Sequence, residues 1–237
     1  MFQIKLAGII IRIHNLYDYV KWLCDDFRVA DKLPFEMEIS YTEKELLLEH
    51  ELLSGFSFGY CESNIIYRKI CLEMLYHRSM VVHAAVISCE REGFAFAARS
   101  GTGKSTHVVL WRQAFGDKVE IINGDKPLLS FDKEKEEFIA YGTPWCGKEG
   151  WGVNKSVPLK AICFLERETD NHIREAEPKE TLERLFSQVL IPVSDDLLQI
   201  ELDLIDLMMK KVSFYILSCN ASQDAARVAR LALQSKD

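Results

Sequence analysis

The sequence predicts an α/β fold, with a core over residues 79–237 preceded by a smaller α+β region over residues 1–78. Three observations carry that expectation. An apolar, strand-like run at 94–98 leads through a glycine loop into a segment of helical character. From residue 80 onward, short apolar runs alternate with longer stretches whose apolar residues recur at helical spacing. And 237 residues, 48% apolar and 27% charged, suffice for one sizeable globular core with an appended region.

The junction at 94–111 reads FAFAARSGTGKSTHVVLW. A strand, a tight glycine turn ending in Lys-Ser, and a helix are the context in which a Walker-type phosphate loop works. Gly101 and Gly103 let successive backbone N–H groups point inward, because no Cβ blocks the turn or the approach of an anion. The helix N-terminus adds its partial positive charge. Lys104 is then placed to reach the outer phosphates of ATP, and Ser105 to ligate the accompanying Mg²⁺ through its hydroxyl. Ser100, Gly101, Thr102, Gly103, Lys104, Ser105 and Thr106 are the expected nucleotide-binding set. Lys104 is expected partly exposed, because its charge serves the ligand rather than the core. The usual pattern begins with glycine where this sequence has Ala98.

A formal net charge of -7 and a pI of about 5.5 argue against a general nucleic-acid binder, which needs a basic stripe to release counterions. Cys24, Cys61, Cys71, Cys89, Cys146, Cys163 and Cys219 are scattered and never form a CxxC pair, so they read as reduced residues of a cytoplasmic protein rather than a disulfide framework or a zinc site. The opening MFQIKLAGIIIRIH has an apolar run too short for a membrane span, and it reads as a strand over 2–13 rather than a signal peptide.

Along the chain, Leu16, Tyr19, Val20, Leu23 and Phe27 fit one helix face, Pro34 breaks the pattern, and Phe35–Tyr41 alternates as a half-exposed strand does. Residues 45–53 suit a strand or a short helix, 55–60 a turn, and 64–77 a helix with a broad apolar stripe. MVVHAAVIS and FAFAA predict a hairpin feeding the phosphate loop. Residues 119–123 form a buried-strand candidate ending in Gly124-Asp125, and an acid at the end of a strand neighbouring the loop can approach Mg²⁺ or the attacking group. A turn Asp before Lys-Pro is the plainer account of Asp125. Residues 128–131 and 137–141 flank a charged hairpin tip. The stretch GTPWCGKEGWGVN at 142–154 has the composition of an ordered loop over a site, where Lys148 and Asn154 are candidates to meet phosphate or substrate; tryptophans that merely pack the loop down are the alternative. Strands follow at 160–166 and 212–219, and helices at 178–190, 195–210 and 222–233.

Four features together, VVHAAV, SGTGKST, IINGDKP and a later strand ending LER, resemble the kinase core of the HPr kinase/phosphorylase family and its small stand-alone relatives. The resemblance covers about residues 80–170. It implies a phosphoenolpyruvate-carboxykinase-like P-loop fold with a mixed sheet, and it places His83 near the reacting phosphate, Lys104 and Ser105 on phosphate and metal, and Asp125 in an acidic pair. Relatives commonly carry Asp-Asp there, whereas this sequence has Gly124-Asp125, so one acidic role is missing or moved.

The expected activity is therefore an ATP-dependent, Mg²⁺-requiring transfer of phosphate to a Ser or Thr hydroxyl of a protein or peptide, with Asp125, His83 and Lys104 catalytic and Ser105 and Asp125 on the metal. A small hydroxylated metabolite as acceptor, and a nucleotide-binding regulatory module without transfer chemistry, are the alternatives. No nucleic acid or membrane partner is expected, and homo-oligomerisation stays open.

Overall fold

The computed structural model describes residues 1–234. The chain opens with β1 (Phe2–Leu6) and β2 (Ile9–Ile13), followed by α1 (Asp18–Leu23), β3 (Arg28–Val29), β4 (Met37–Ile39), α2 (Glu43–Leu52) and α3 (Phe58–Met74). The Ile-rich start is thus a hairpin rather than one strand. Ala7 and Gly8 both take positive φ, which is the two-residue turn that matches strand twist. The four strands pair in the order β3-β1-β2-β4, and their buried side chains, Phe2, Ile4, Leu6, Ile11 and Ile13 among them, pack with Ile66, Ile70 and Met74 of α3.

Local chemistry explains where this region departs from expectation. The helix foreseen from Leu16 begins only at Asp18 and leaves Leu16 exposed, because the N–H groups of Leu16 and Tyr17 donate to the buried Glu62 carboxylate instead. Residues 43–52 resolve to a helix through a reciprocal cap between Thr42 and Glu45. The stretch at 55–60 is only half turn: the Ser57 hydroxyl accepts from Tyr60 N–H and starts α3 six residues earlier than its apolar stripe suggested.

The remainder runs β5 (Ser79–Val81), β6 (Ala84–Cys89), β7 (Glu92–Ala97), α4 (Lys104–Phe115), β8 (Val119–Asn123), β9 (Leu128–Asp132), β10 (Glu137–Tyr141), β11 (Ser156–Arg167), β12 (His172–Glu175), α5 (Pro178–Phe186), α6 (Asp195–Lys211), β13 (Ser213–Cys219) and α7 (Gln223–Gln234). They build one mixed sheet in the order β5-β9-β10-β11-β7-β6-β8, with β13 parallel to β11 and β12 antiparallel to β13. The phosphate-loop strand β7 runs parallel to β11 and antiparallel to β6.

Alternation along the central strands divides the core into two layers. Ala84, Val86, Ala95, Ala97, Ile162 and Phe164 face Leu185 of α5 and Leu204, Ile205 and Met208 of α6. Ala85, Ile87, Phe94, Phe96, Ala161 and Cys163 face Val108 and Trp111 of α4 and Ala226, Ala229 and Leu233 of α7. Trp111 is fully buried between Phe94, Phe96 and Phe115, so truncating it to alanine costs about 3–5 kcal/mol. Helices thus cover both faces of β7, the strand that leads into the loop. Among the described residues no helix is long and apolar enough to cross a membrane.

The run at 80–88 is not one strand. It breaks at Val82 and His83, so β5 pairs with β9 and β6 with β7 and β8. The helix expected to 190 ends at Phe186, after which Val189 bridges to Val82. β12, three polar residues and one apolar, carries too little pattern to be seen in sequence.

Candidate functional site

Between β7 and α4 the loop places Gly101 at φ +80° and Gly103 at φ +121°, and a Cβ on either meets nothing within 4 Å. Backbone conformation therefore requires glycine here, and open space lies over the loop. Arg167, the last residue of β11, donates from Nε to the Thr102 carbonyl at 3.0 Å and from a terminal nitrogen to the Gly101 carbonyl at 2.6 Å. The guanidinium ties down two loop carbonyls at once.

Lys104 differs from expectation. It is only 8% exposed, its ammonium turned back over the loop to donate to the Ala98 carbonyl at 3.1 Å, with His83 Nε2 at 3.0 Å. Burial lowers its pKa, with Asp125 opposing that and Lys126 adding to it.

His83 sits at the bend between β5 and β6, where its backbone N–H donates to the Gln188 carbonyl at 2.7 Å. Its Nε2 is 3.1 Å from Asp125 Oδ1, and Asp125 Oδ2 accepts from Lys126 Nζ at 2.9 Å. Burial of the Asp125 carboxyl opposes ionisation, but hydrogen bonds from His83 and Lys126 outweigh it and hold the group well below the usual carboxylate range. Asn123, fully buried, shapes this turn: its side-chain oxygen accepts from the N–H groups of both Asp125 and Lys126, and its amide nitrogen donates to Thr143. Asp125 follows β8, which is not beside the loop strand as the sequence suggested; β6 lies between them. The acid reaches the site because the chain turns after Asn123, and the Asp125 carbonyl accepts from Ala84 N–H.

Gly124 has a steric cause. A Cβ there stands 2.7 Å from the Cys146 carbonyl and 3.5 Å from the Trp151 side chain, so no acid fits at that position. The space is taken by the 142–154 loop. That loop carries Glu149 into the cleft, its carboxylate 3.6 Å from a Cβ built on Gly147, which itself would lie 3.1 Å from the Asp125 Cβ. Trp145 packs the loop down by stacking on Tyr67 at 4.2 Å and donating to Ser63 Oγ at 2.9 Å. Lys148 lines the cleft, whereas Asn154 points elsewhere and donates to the Asp26 carbonyl.

His83, Ser100, Gly101, Gly103, Lys104, Ser105, Thr106 and Asp125 line one open cleft of about 740 Å³, while Thr102 lines a second cavity beside it. Lys126, Glu149 and Arg167 share the cleft and were missed in the sequence. Lys126 directly follows the flagged acid, Glu149 stands in the flagged loop, and Arg167 closes the LER strand; each signal was a neighbour of one already recognised. Tyr19, Leu23, Phe56 and Tyr60 from the N-terminal helices rim the opening, with Phe56 and Tyr60 stacked at 4.5 Å.

No family model and no curated protein matches this chain. Among solved structures, the HPr(Ser) kinase/phosphatase from Coxiella burnetii is similar with a TM-score of 0.35 and 10% identity, covering 65% of this chain and 92% of that one.

Among the described residues no group of three His, Cys, Asp or Glu side chains is disposed to hold a metal ion. The oxygens of Ser105 and Asp125 in one cleft suit Mg²⁺ nonetheless, because that ion takes few protein ligands and completes its shell with water and phosphate oxygens.

Proposed function

We propose that the chain is an ATP-dependent kinase of the HPr-kinase-like type that phosphorylates a Ser or Thr hydroxyl on a protein or peptide. One observation carries this reading: a glycine loop of phosphate-binding sequence opens onto the same cleft as a histidine in contact with both a lysine and an aspartate.

In this reading the loop amides and the α4 N-terminus cradle the triphosphate, and Lys104 swings from the Ala98 carbonyl to a phosphate oxygen. Ser105 and Asp125 hold Mg²⁺, which neutralises charge on the transferred group when bound. The acceptor hydroxyl oxygen bonds to the γ-phosphorus as the bond from that phosphorus to the β–γ bridging oxygen breaks, and ADP departs. Asp125 accepts the hydroxyl hydrogen bond and then the proton. A carboxylate held so far below its usual range is a weak base, which suffices where the transition state is loose and proton transfer late. Glu149 supplies the second carboxylate that Gly124 cannot.

A peptide acceptor is favoured over a small polar metabolite by the aromatic rim, where Tyr19, Phe56 and Tyr60 offer flat faces to side chains flanking the hydroxyl. The test is incubation with γ-labelled ATP, Mg²⁺ and cell extract. Label on Ser or Thr of a polypeptide supports the reading, label on a small molecule moves the acceptor class, and ATP binding without transfer leaves a regulatory nucleotide-binding module.

A further inference from the structure

A groove of about 490 Å³ opens on the N-terminal region, lined by Leu16, Tyr17, Leu46, Leu47 and Phe58 among others. Two segments carry it to the cleft of the phosphate loop. The chain entering α1 puts Leu16 and Tyr17 on the groove and Tyr19 and Leu23 on the cleft. The start of α3 puts Phe58 on the groove and Tyr60 and Ser63 on the cleft. Gly59 lets the two segments meet, since a Cβ there would stand 2.9 Å from the Tyr19 Cβ and 3.3 Å from the Tyr17 Cβ. Groove and cleft therefore lie on two sides of one helix end, about 10 Å across.

The groove wall is anchored in the core. Leu16 is 72% exposed, yet its N–H and that of Tyr17 donate to the Glu62 carboxylate, which is fully buried and also accepts from the Tyr41 hydroxyl. Three donors on one buried carboxylate fix this turn, so the leucine is held outward rather than frayed. Phe58 is fixed in turn between Tyr17 at 6.2 Å and His50 at 4.0 Å, each ring within 10° of parallel to it. Leu47, 50% exposed, extends an apolar surface that the folded chain leaves uncovered. Glu43 lines the same groove, exposed and in no salt bridge among the described residues.

We propose that this groove docks a segment of the acceptor polypeptide away from its reacting hydroxyl, a segment that bears large apolar side chains and a Lys or Arg. The apolar side chains cover Leu16, Leu47 and Phe58, and the cation meets Glu43. An extended chain advances about 3.3 Å per residue, so about three or four residues cross the helix end from cleft to groove. A small metabolite held at the phosphate loop does not span that distance. The inference rests on the kinase reading above and adds where the acceptor is recognised and by what chemistry.

Synthetic peptides on the full chain test it, each with one Ser and a Leu-Lys-Leu segment placed roughly four to twelve residues away, beside reference peptides with Gly-Gln-Gly in its place. Fluorescence polarisation of the labelled peptides reads docking, and γ-labelled ATP with Mg²⁺ reads transfer. At the best spacing the Leu-Lys-Leu peptide is expected to bind about tenfold tighter than its reference, and to lower KM for transfer by the same factor with kcat unchanged. Leu16→Asp and Leu47→Asp are each expected to abolish that gain. Leu48→Asp, equally exposed on α2 but off the groove, is expected to keep it, and Glu43→Gln to reduce it about threefold, the scale of an exposed ion pair. Equal binding of the two peptides at every spacing, or a preference that survives both groove variants, overturns the docking groove whether or not label is transferred. Preferential binding with no label on any peptide overturns the kinase reading and, with it, the occupant named here.

Discussion

The Lys104 ammonium lies 3.0 Å from Nε2 of His83. That same nitrogen stands 3.1 Å from Asp125 Oδ1. One nitrogen cannot accept from an ammonium and donate to a carboxylate at once, so the position of a single proton couples the lysine to the acid. In the proposed reading, a phosphate oxygen that draws the ammonium away frees Nε2 for the tautomer in which it donates to Asp125. If the chain binds a nucleotide as proposed, that binding and the alignment of the acid are coupled through this imidazole.

Lys104→Met tests the lysine. Its aliphatic stem is kept and its charge removed, so Mg-ATP affinity is expected to fall on the order of 10²-fold, as for loss of a buried charged contact to a ligand. The fold is expected to survive, because a desolvated ammonium costs the empty site more than an apolar terminus does. Calorimetry and a thermal melt decide both halves; unchanged ATP affinity removes the phosphate-loop reading.

Cys146 sits in the loop that covers the site, yet nothing activates it. Burial raises its thiol above the usual range, and Asp125 and Glu149 push the same way. Cys146→Ser is expected to retain turnover within about fivefold, since phosphoryl transfer needs no thiolate. Iodoacetamide at pH 7 is expected to label it slowly. A loss of several orders of magnitude in turnover would show that the thiol participates.

Much of the candidate site's geometry was legible because it depends on local order. SGTGKST between a strand and a helix fixes a loop geometry wherever the chain goes next, and IINGDKP fixes a turn through Asn123. What stayed hidden depends on approach between distant segments. Gly124 looked like a lost acid, and only the Cys146 carbonyl 2.7 Å from its missing Cβ shows that the 142–154 loop, which also carries Glu149 into the cleft, occupies that space. Lys104 was expected near solvent because nothing local tells that an imidazole 21 residues earlier closes over it. In the fold, alternation marked the central strands well, while the two hairpin turns at Ala7-Gly8 and Glu90-Arg91 differ in legibility: the second uses two non-glycine residues at positive φ. The first contains a glycine, but the Ile-rich run around it masked the turn.

Glu201 on α6 gives a pH signature away from the cleft. It is 1% exposed, its Oε2 has no hydrogen-bond partner among the described residues, and burial raises its pKa to about 7. A carboxyl whose folded pKa exceeds its unfolded value contributes fully below the unfolded pKa, and the contribution drains away as pH rises through the folded one. Glu201→Leu is therefore expected to add about 2–3 kcal/mol more stability at pH 8 than at pH 4.5. Urea unfolding of both proteins at the two values measures it; parallel stability curves would show that the carboxylate is not desolvated in solution.

The last prediction ranks the acids against the histidine. Asp125 contacts His83 and Lys126 and has no acidic neighbour in sequence, since Gly124 cannot carry a side chain, so the proposed reading assigns it the hydroxyl, the metal or both. Asp125→Asn keeps size and removes charge, and is expected to lower turnover by at least ~10²-fold while ATP still binds through the loop. Glu149→Gln is expected to cost about tenfold, because the loop acid lies in the same cleft without the histidine contact. His83→Ala is expected to cost less than Asp125→Asn, since in the proposed reading the imidazole bridges Lys104 and the acid rather than holding the reacting atoms. Single-turnover kinetics with saturating Mg-ATP separates binding from transfer in each variant. If Asp125→Asn is nearly silent and Glu149→Gln abolishes transfer, the acidic role has moved with the loop that displaced the side chain at 124. If His83 alone is indispensable, the proton leaves the acceptor hydroxyl through the imidazole, and Asp125 serves only to orient it.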